Sequence, residues 1–143
     1  MRKWRSEKGA ALVEAAVTIP LLLLVSVGIF EFGRAYQTWQ VITNAAREGA
    51  RVAVLPSATS TGVTQRVRQY MQAGQLTGWS TAGVVVDNTA TLTVNGNAMP
   101  ASRVTVNYPF TFVALQPIAT LVAGSTTAGG ALTMSAQALM RQE

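Results

Sequence analysis

Apolar residues crowd into one long block near the start of this chain and recur in shorter patterns after it. From Ala10 to Phe30 there are 21 residues with a single charge, Glu14. At about 1.5 Å rise per residue, a helix of that length spans roughly 32 Å, the thickness of a hydrocarbon core of about 30 Å. Residues 10–30 are therefore predicted to cross a membrane. Pro20 lies inside the block, where a membrane helix tolerates it better than a soluble one. Phe30, Phe32, Tyr36 and Trp39 follow and suit an aromatic belt at the far interface. The long apolar region and the lack of a prompt small-x-small site argue against an ordinary cleaved signal peptide.

The helical period continues past the block. Ala35, Trp39, Ile42, Ala46, Gly49 and Ala53 recur along one face, mostly small residues that let another element approach closely. Gln37, Gln40, Asn44, Arg47 and Arg51 form a matching polar stripe. Leu55 precedes Pro56 and is disfavoured in helical geometry, so the helix is expected over about 11–54. Residues 31–56 are its continuation outside the membrane. The seam is read as packing within the chain, with subunit contact as the alternative.

Residues 57–143 read as a small domain. After a Ser/Thr/Gly connector, Val63, Val67, Tyr70 and Met71 mark one face of a second helix. Thr61 is expected to cap it and Gly74 to close it, with Arg66 and Arg68 on its solvated side. The period then shifts to two. Val84 and Val86, then Leu92 and Val94, lead into Asn95-Gly96, a tight-turn signal. Val104, Val106 and Tyr108 alternate up to Pro109, which should bound that strand. Ile118 to Val122 reads as a short helical or irregular piece, Ser125 to Gly130 as a loop, and Leu132 to Leu139 as a last strand. The fold class is α+β: a long N-terminal helix on a small domain with one further helix and an antiparallel sheet of about 3–4 strands.

Charge sharpens this picture. The head, residues 1–9, holds Arg2, Lys3, Arg5 and Lys8 against the single acid Glu7. By the positive-inside bias these four bases place the N-terminus in the cytoplasm and everything after Phe30 outside. The net charge is +5, and the head supplies +3 of it, leaving +2 on the rest. The remaining arginines are scattered rather than clustered, which disfavours nucleic acid. The chain has no cysteine and no histidine, so disulfides, thiolate metal sites and the usual catalytic base are missing. No cofactor, metal or small-molecule substrate is expected, and no enzymatic activity.

One detail of the block carries chemistry. Glu14 stands five residues after Gly9, which closes the basic head. An ionisable group at the centre of a spanning segment costs about 2.5–3.5 kcal/mol on insertion scales, so a function is its default reading. The plain alternative is a signal-anchor helix whose Glu14 snorkels to the cytoplasmic interface. A basic head, Gly9 and Glu14 at this spacing resemble the class III signal of type IV pilin-like proteins. With Asn44-Ala-Ala-Arg-Glu-Gly-Ala-Arg51, Val104-x-Val-x-Tyr-Pro-Phe110 and the closing Ala138-Leu-Met-Arg-Gln-Glu143, nearly the whole chain resembles the TadE-like minor pilins of tight-adherence (Tad), or type IVc, pilus systems.

That resemblance implies a non-catalytic subunit acting in pilus initiation, assembly or tip structure. It implies cleavage between Gly9 and Ala10 by a prepilin peptidase, with Glu14 as the helix carboxylate used in assembly. Other pilin-like subunits, the Tad assembly platform and membrane lipid are the implied partners. The implied location is the bacterial cytoplasmic membrane, single-pass, and, after processing, the extracellular pilus. The chain departs from many pilin-like signals in placing Ala10, not Phe or Met, after the cut. The competing reading is a bitopic membrane protein whose exported domain binds a ligand or partner.

Overall fold

Helix α1 runs unbroken from Lys3 to Ala53, 51 residues or about 77 Å. The computed structural model describes residues 3–123 and 131–142, with side chains from residue 9 onward except at 118, 119, 122 and 123. The helix starts earlier than the apolar block alone predicts. Trp4, Arg5, Glu7 and Lys8 are compatible with a helix, and Gly9 inside it costs only about 1 kcal/mol relative to alanine. Pro20 is carried within it. Past Ala53 the Leu55 N–H donates to the Val52 carbonyl, and the chain turns away before Pro56.

Burial divides α1 into two unequal environments. From Gly9 to Phe30 no residue is buried, and Leu12, Val17, Leu22 and Ile29 stand open. The first buried residue is Glu31. From there Thr38, Ile42, Ala45, Ala46, Gly49, Ala50 and Ala53 turn inward, while Gln37, Gln40, Arg47 and Arg51 stay exposed as the polar stripe predicts. The seam is rotated at its lower end, where Thr38 is buried and Trp39 is 45% exposed. Thr38 can face inward because its hydroxyl donates to the Arg34 carbonyl one turn back.

Helix α2, Ser60–Ala73, packs Val63, Val67 and Met71 onto that face. Its cap is Thr59, not Thr61. Thr59 is extended and its hydroxyl accepts from the Gly62 N–H at 3.1 Å, the bond an N-cap makes to the third helical residue. Gly74 closes the helix as expected, and a Cβ there would meet Val41 Cγ1 at 2.6 Å. Tyr70 sits at the edge of the buried face, partly open.

Three strands complete the core: β1 Gly83–Val94, β2 Asn97–Phe110 and β3 Leu132–Arg141, antiparallel in the order β1-β2-β3. Asn95 (φ 52°) and Gly96 (φ 81°) make the two-residue turn between β1 and β2, with the paired positive φ values that such a hairpin favours. The β1–β2 register slips between Asp87 and Ala90. There the Asp87 carboxylate accepts from both the N–H and the hydroxyl of Thr89. Val104, Val106, Tyr108 and Phe110 of β2, with Ala136 of β3, close the core against α1 and α2.

Pro109 does not end β2. It pairs with Thr133 of β3, but β1 has already finished at Gly83 opposite Asn107. Pro109 thus sits where the strand has one neighbour, a place that tolerates a missing donor. After β2 the chain bends at residues 111–114 into α3, Leu115–Ala123, which is helical throughout. The loop expected over Ser125 to Gly130 lies outside the described residues.

Candidate functional site

Gly9, Ala10 and Glu14 all lie on the open part of α1, and all three are exposed. Ala10 and Glu14 are four residues apart, so they share one face with the carboxylate one turn above. Glu14 makes no ion pair among the described residues. The face therefore offers a carboxyl group to whatever lies beside the helix. Of the head's four bases, Arg2 lies outside the described residues, and so do the side chains of Lys3, Arg5 and Lys8. The structure thus brings Ala10 and Glu14 onto one face.

A second cluster escaped the sequence reading. Glu31 is fully buried one residue past the apolar block. Its carboxylate accepts from the Ala114 N–H at 2.6 Å and from Arg34 Nη2 at 3.0 Å. Arg34 also donates to the Thr111 carbonyl and stacks over the Phe110 ring, 4.8 Å from its centroid. Phe112 meets Phe32 and Phe110 edge-on at 6.3 and 5.1 Å. The Ala114 N–H holds the Glu31 carboxyl below the ordinary glutamate range, against burial, which pushes it up; Arg34 adds to the lowering. Together these contacts form a collar fastening the lower edge of the domain to α1.

One signal for the collar was in the sequence. Glu31 precedes Arg34 by three residues and is in phase with Ala35, Thr38 and Ile42, so the acid belongs to the inward face. Its partner at Ala114, 83 residues away, has no such signature. Glu48 takes a different partner, accepting from Arg66 Nη2 at 2.8 Å and so tying α1 to α2 at the surface. Arg66 is accordingly paired, not simply solvated.

Above the collar a cleft of about 450 Å³ opens between Arg34, Thr38, the loop Gly74–Gly78 and Tyr108. The Tyr108 hydroxyl accepts from the Gly78 N–H there at 3.2 Å. Among the described residues no three of His, Cys, Asp and Glu gather as a metal set. The cleft offers hydrogen-bonding groups and one guanidinium, with no carboxylate pair for acid–base chemistry.

Residues 9–51 match the model of the TadE-like protein family. The match opens at Gly9 and ends two residues before α1 does, so it covers the open face and the seam as far as Ala50. The strands, including Val104–Phe110, and the closing 138–143 run fall beyond it. No curated protein and no solved structure matches the chain.

Proposed function

On the premise of that TadE-like segment, we propose that this chain is a minor pilin-like subunit of a Tad (type IVc) pilus. It acts in pilus initiation, assembly or tip structure and carries out no catalysis. The observation that carries the reading is the open apolar stretch of α1, which holds its one carboxylate, Glu14, one turn above Ala10. A prepilin peptidase on the cytoplasmic side cuts between Gly9 and Ala10, and Arg2, Lys3, Arg5 and Lys8 fix that orientation. The domain is exported, and α1 anchors the chain in the cytoplasmic membrane until the assembly platform extracts it.

In the filament the apolar faces leave lipid and pack on other pilin-like subunits. Glu14 then requires a cation, and the freed ammonium of Ala10 on a neighbour supplies it. Such a buried pair contributes more to axial register than to net stability. Intact-mass measurement of the membrane-extracted chain, in cells holding the peptidase, tests the proposal. A mass beginning at Ala10, lost in Gly9→Val, is expected; retention of the head through Gly9 in the unaltered chain would overturn it.

A further inference from the structure

The start of α3 is pinned at the height where the apolar block of α1 ends. The Ala114 N–H, one residue before α3, donates to Glu31 at 2.6 Å, and Glu31 directly follows Phe30. Whatever plane bounds the lipid around α1 therefore passes close to the first turn of α3. At that level Val113 is 67% exposed, and further along Leu121 is 85% exposed. Water is a poor surrounding for both. Phe30, Phe32 and Tyr36 stand equally open on α1, at the depth where aromatic rings favour the interface.

The chemistry of the segment agrees with its depth. No charged residue stands between Arg103 and Arg141, so no charge on this part of the chain resists leaving bulk water. Within α3 the Thr120 hydroxyl donates to the Pro117 carbonyl at 2.8 Å, which satisfies its proton inside the helix. We propose that the 113–123 segment is a membrane contact: Val113 and Leu121 insert into the interface of the leaflet from which α1 emerges. This rests on α1 spanning a bilayer. The occupant is lipid, not protein, because the collar fixes the segment at bilayer height whether or not another chain is present. With no cation on the segment, insertion needs no anionic headgroup.

A chain without cysteine suits single-site labelling. Nitroxides placed by Leu121→Cys and Val113→Cys, in the full chain in phosphatidylcholine vesicles, would be compared by power saturation with oxygen and a water-soluble nickel chelate. Leu22→Cys marks the hydrocarbon and the exposed Ser57→Cys marks water. The oxygen-to-nickel accessibility ratio at 121 and 113 should exceed that at 57 several-fold and approach that at 22. A ratio equal to that at 57, with 22 reading lipid, overturns the contact while leaving the spanning helix intact. A label shielded from both reagents assigns the face to protein and also overturns it. An aqueous reading at 22 removes the spanning helix and this inference together.

Discussion

A Cβ on Gly49 would stand 2.5 Å from Val67 Cγ2, well inside any real contact. The same atom would be 3.1 Å from Val104 Cγ1, so α1, α2 and β2 converge on one missing methyl. Gly49→Ala must push the two helices apart or force Val67 off its rotamer, at about 1–3 kcal/mol. For a domain of this size the melting midpoint should fall by about 4–8 °C per kcal/mol. Half-buried Trp79 packs against the core and reports that melt by fluorescence in the detergent-solubilised chain. An unchanged midpoint would mean that the contact relaxes freely.

The collar predicts a pH dependence. The folded Glu31 carboxyl is held below its unfolded value, chiefly by the Ala114 N–H, so it binds a proton less readily when folded. Its stabilisation is fully present above the ordinary, unfolded glutamate range and is lost as pH falls through the folded value. Glu31→Gln should therefore melt lower than the parent near neutrality, with the gap closing in acid. Hydrogen exchange at the Ala114 amide should quicken in the variant at neutral pH. Equal exchange in both chains would show that the carboxylate is not what holds residues 111–114 down.

The seam was legible from Ile42 to Ala53 because small residues at helical spacing leave few other ways to pack. It failed at Trp39, where bulk outweighed phase: the inward position is Thr38, aligned with the buried acid at 31. The Asn95-Gly96 turn was readable because positive φ at two successive positions has a narrow residue preference. The choice of Thr59 over Thr61 as cap was not. Both residues qualify chemically, and only packing decides where α2 begins. Glu31 was the largest omission, since its meaning comes from a backbone N–H on the far side of the fold.

The Glu48–Arg66 bridge should matter little. Arg66 is 49% exposed and Glu48 22%, so water and salt screen the pair. Arg66→Ala is expected to cost about 0–1 kcal/mol in denaturant titration, with the difference shrinking in high salt. A larger, salt-insensitive loss would mean that the aliphatic stem of Arg66 packs on α1 and supplies the stability.

Glu14 separates the two readings of the open apolar helix. If it serves only as a tolerated interfacial charge, Glu14→Leu and Glu14→Gln should leave surface pili unchanged. If it pairs with the Ala10 amine of a neighbour, both variants should accumulate as cleaved membrane protein while sheared pili fall sharply. Glutamine keeps the size and removes the charge, so a matching defect in both assigns the effect to the ion pair. The ratio of mature to precursor chain, measured beside pilus yield, guards against a simple processing fault.

Because α1 passes from Phe30 to Glu31 without a hinge, the chain behaves as a crankshaft. Each residue turns the helix by about 100° and advances it about 1.5 Å. The bearing of Glu14 on the open stretch of α1 thus sets the compass heading of the domain packed on the upper stretch, by residue count alone. Glu31 lies seventeen positions beyond Glu14, placing the collar about 100° around the axis from that carboxylate. One residue inserted between them would swing the domain by about 100°, whereas seven would return it to within about 20° of its heading, two turns higher. In the proposed filament, contacts on the lower helix therefore dictate which side of the upper domain each subunit presents to the next.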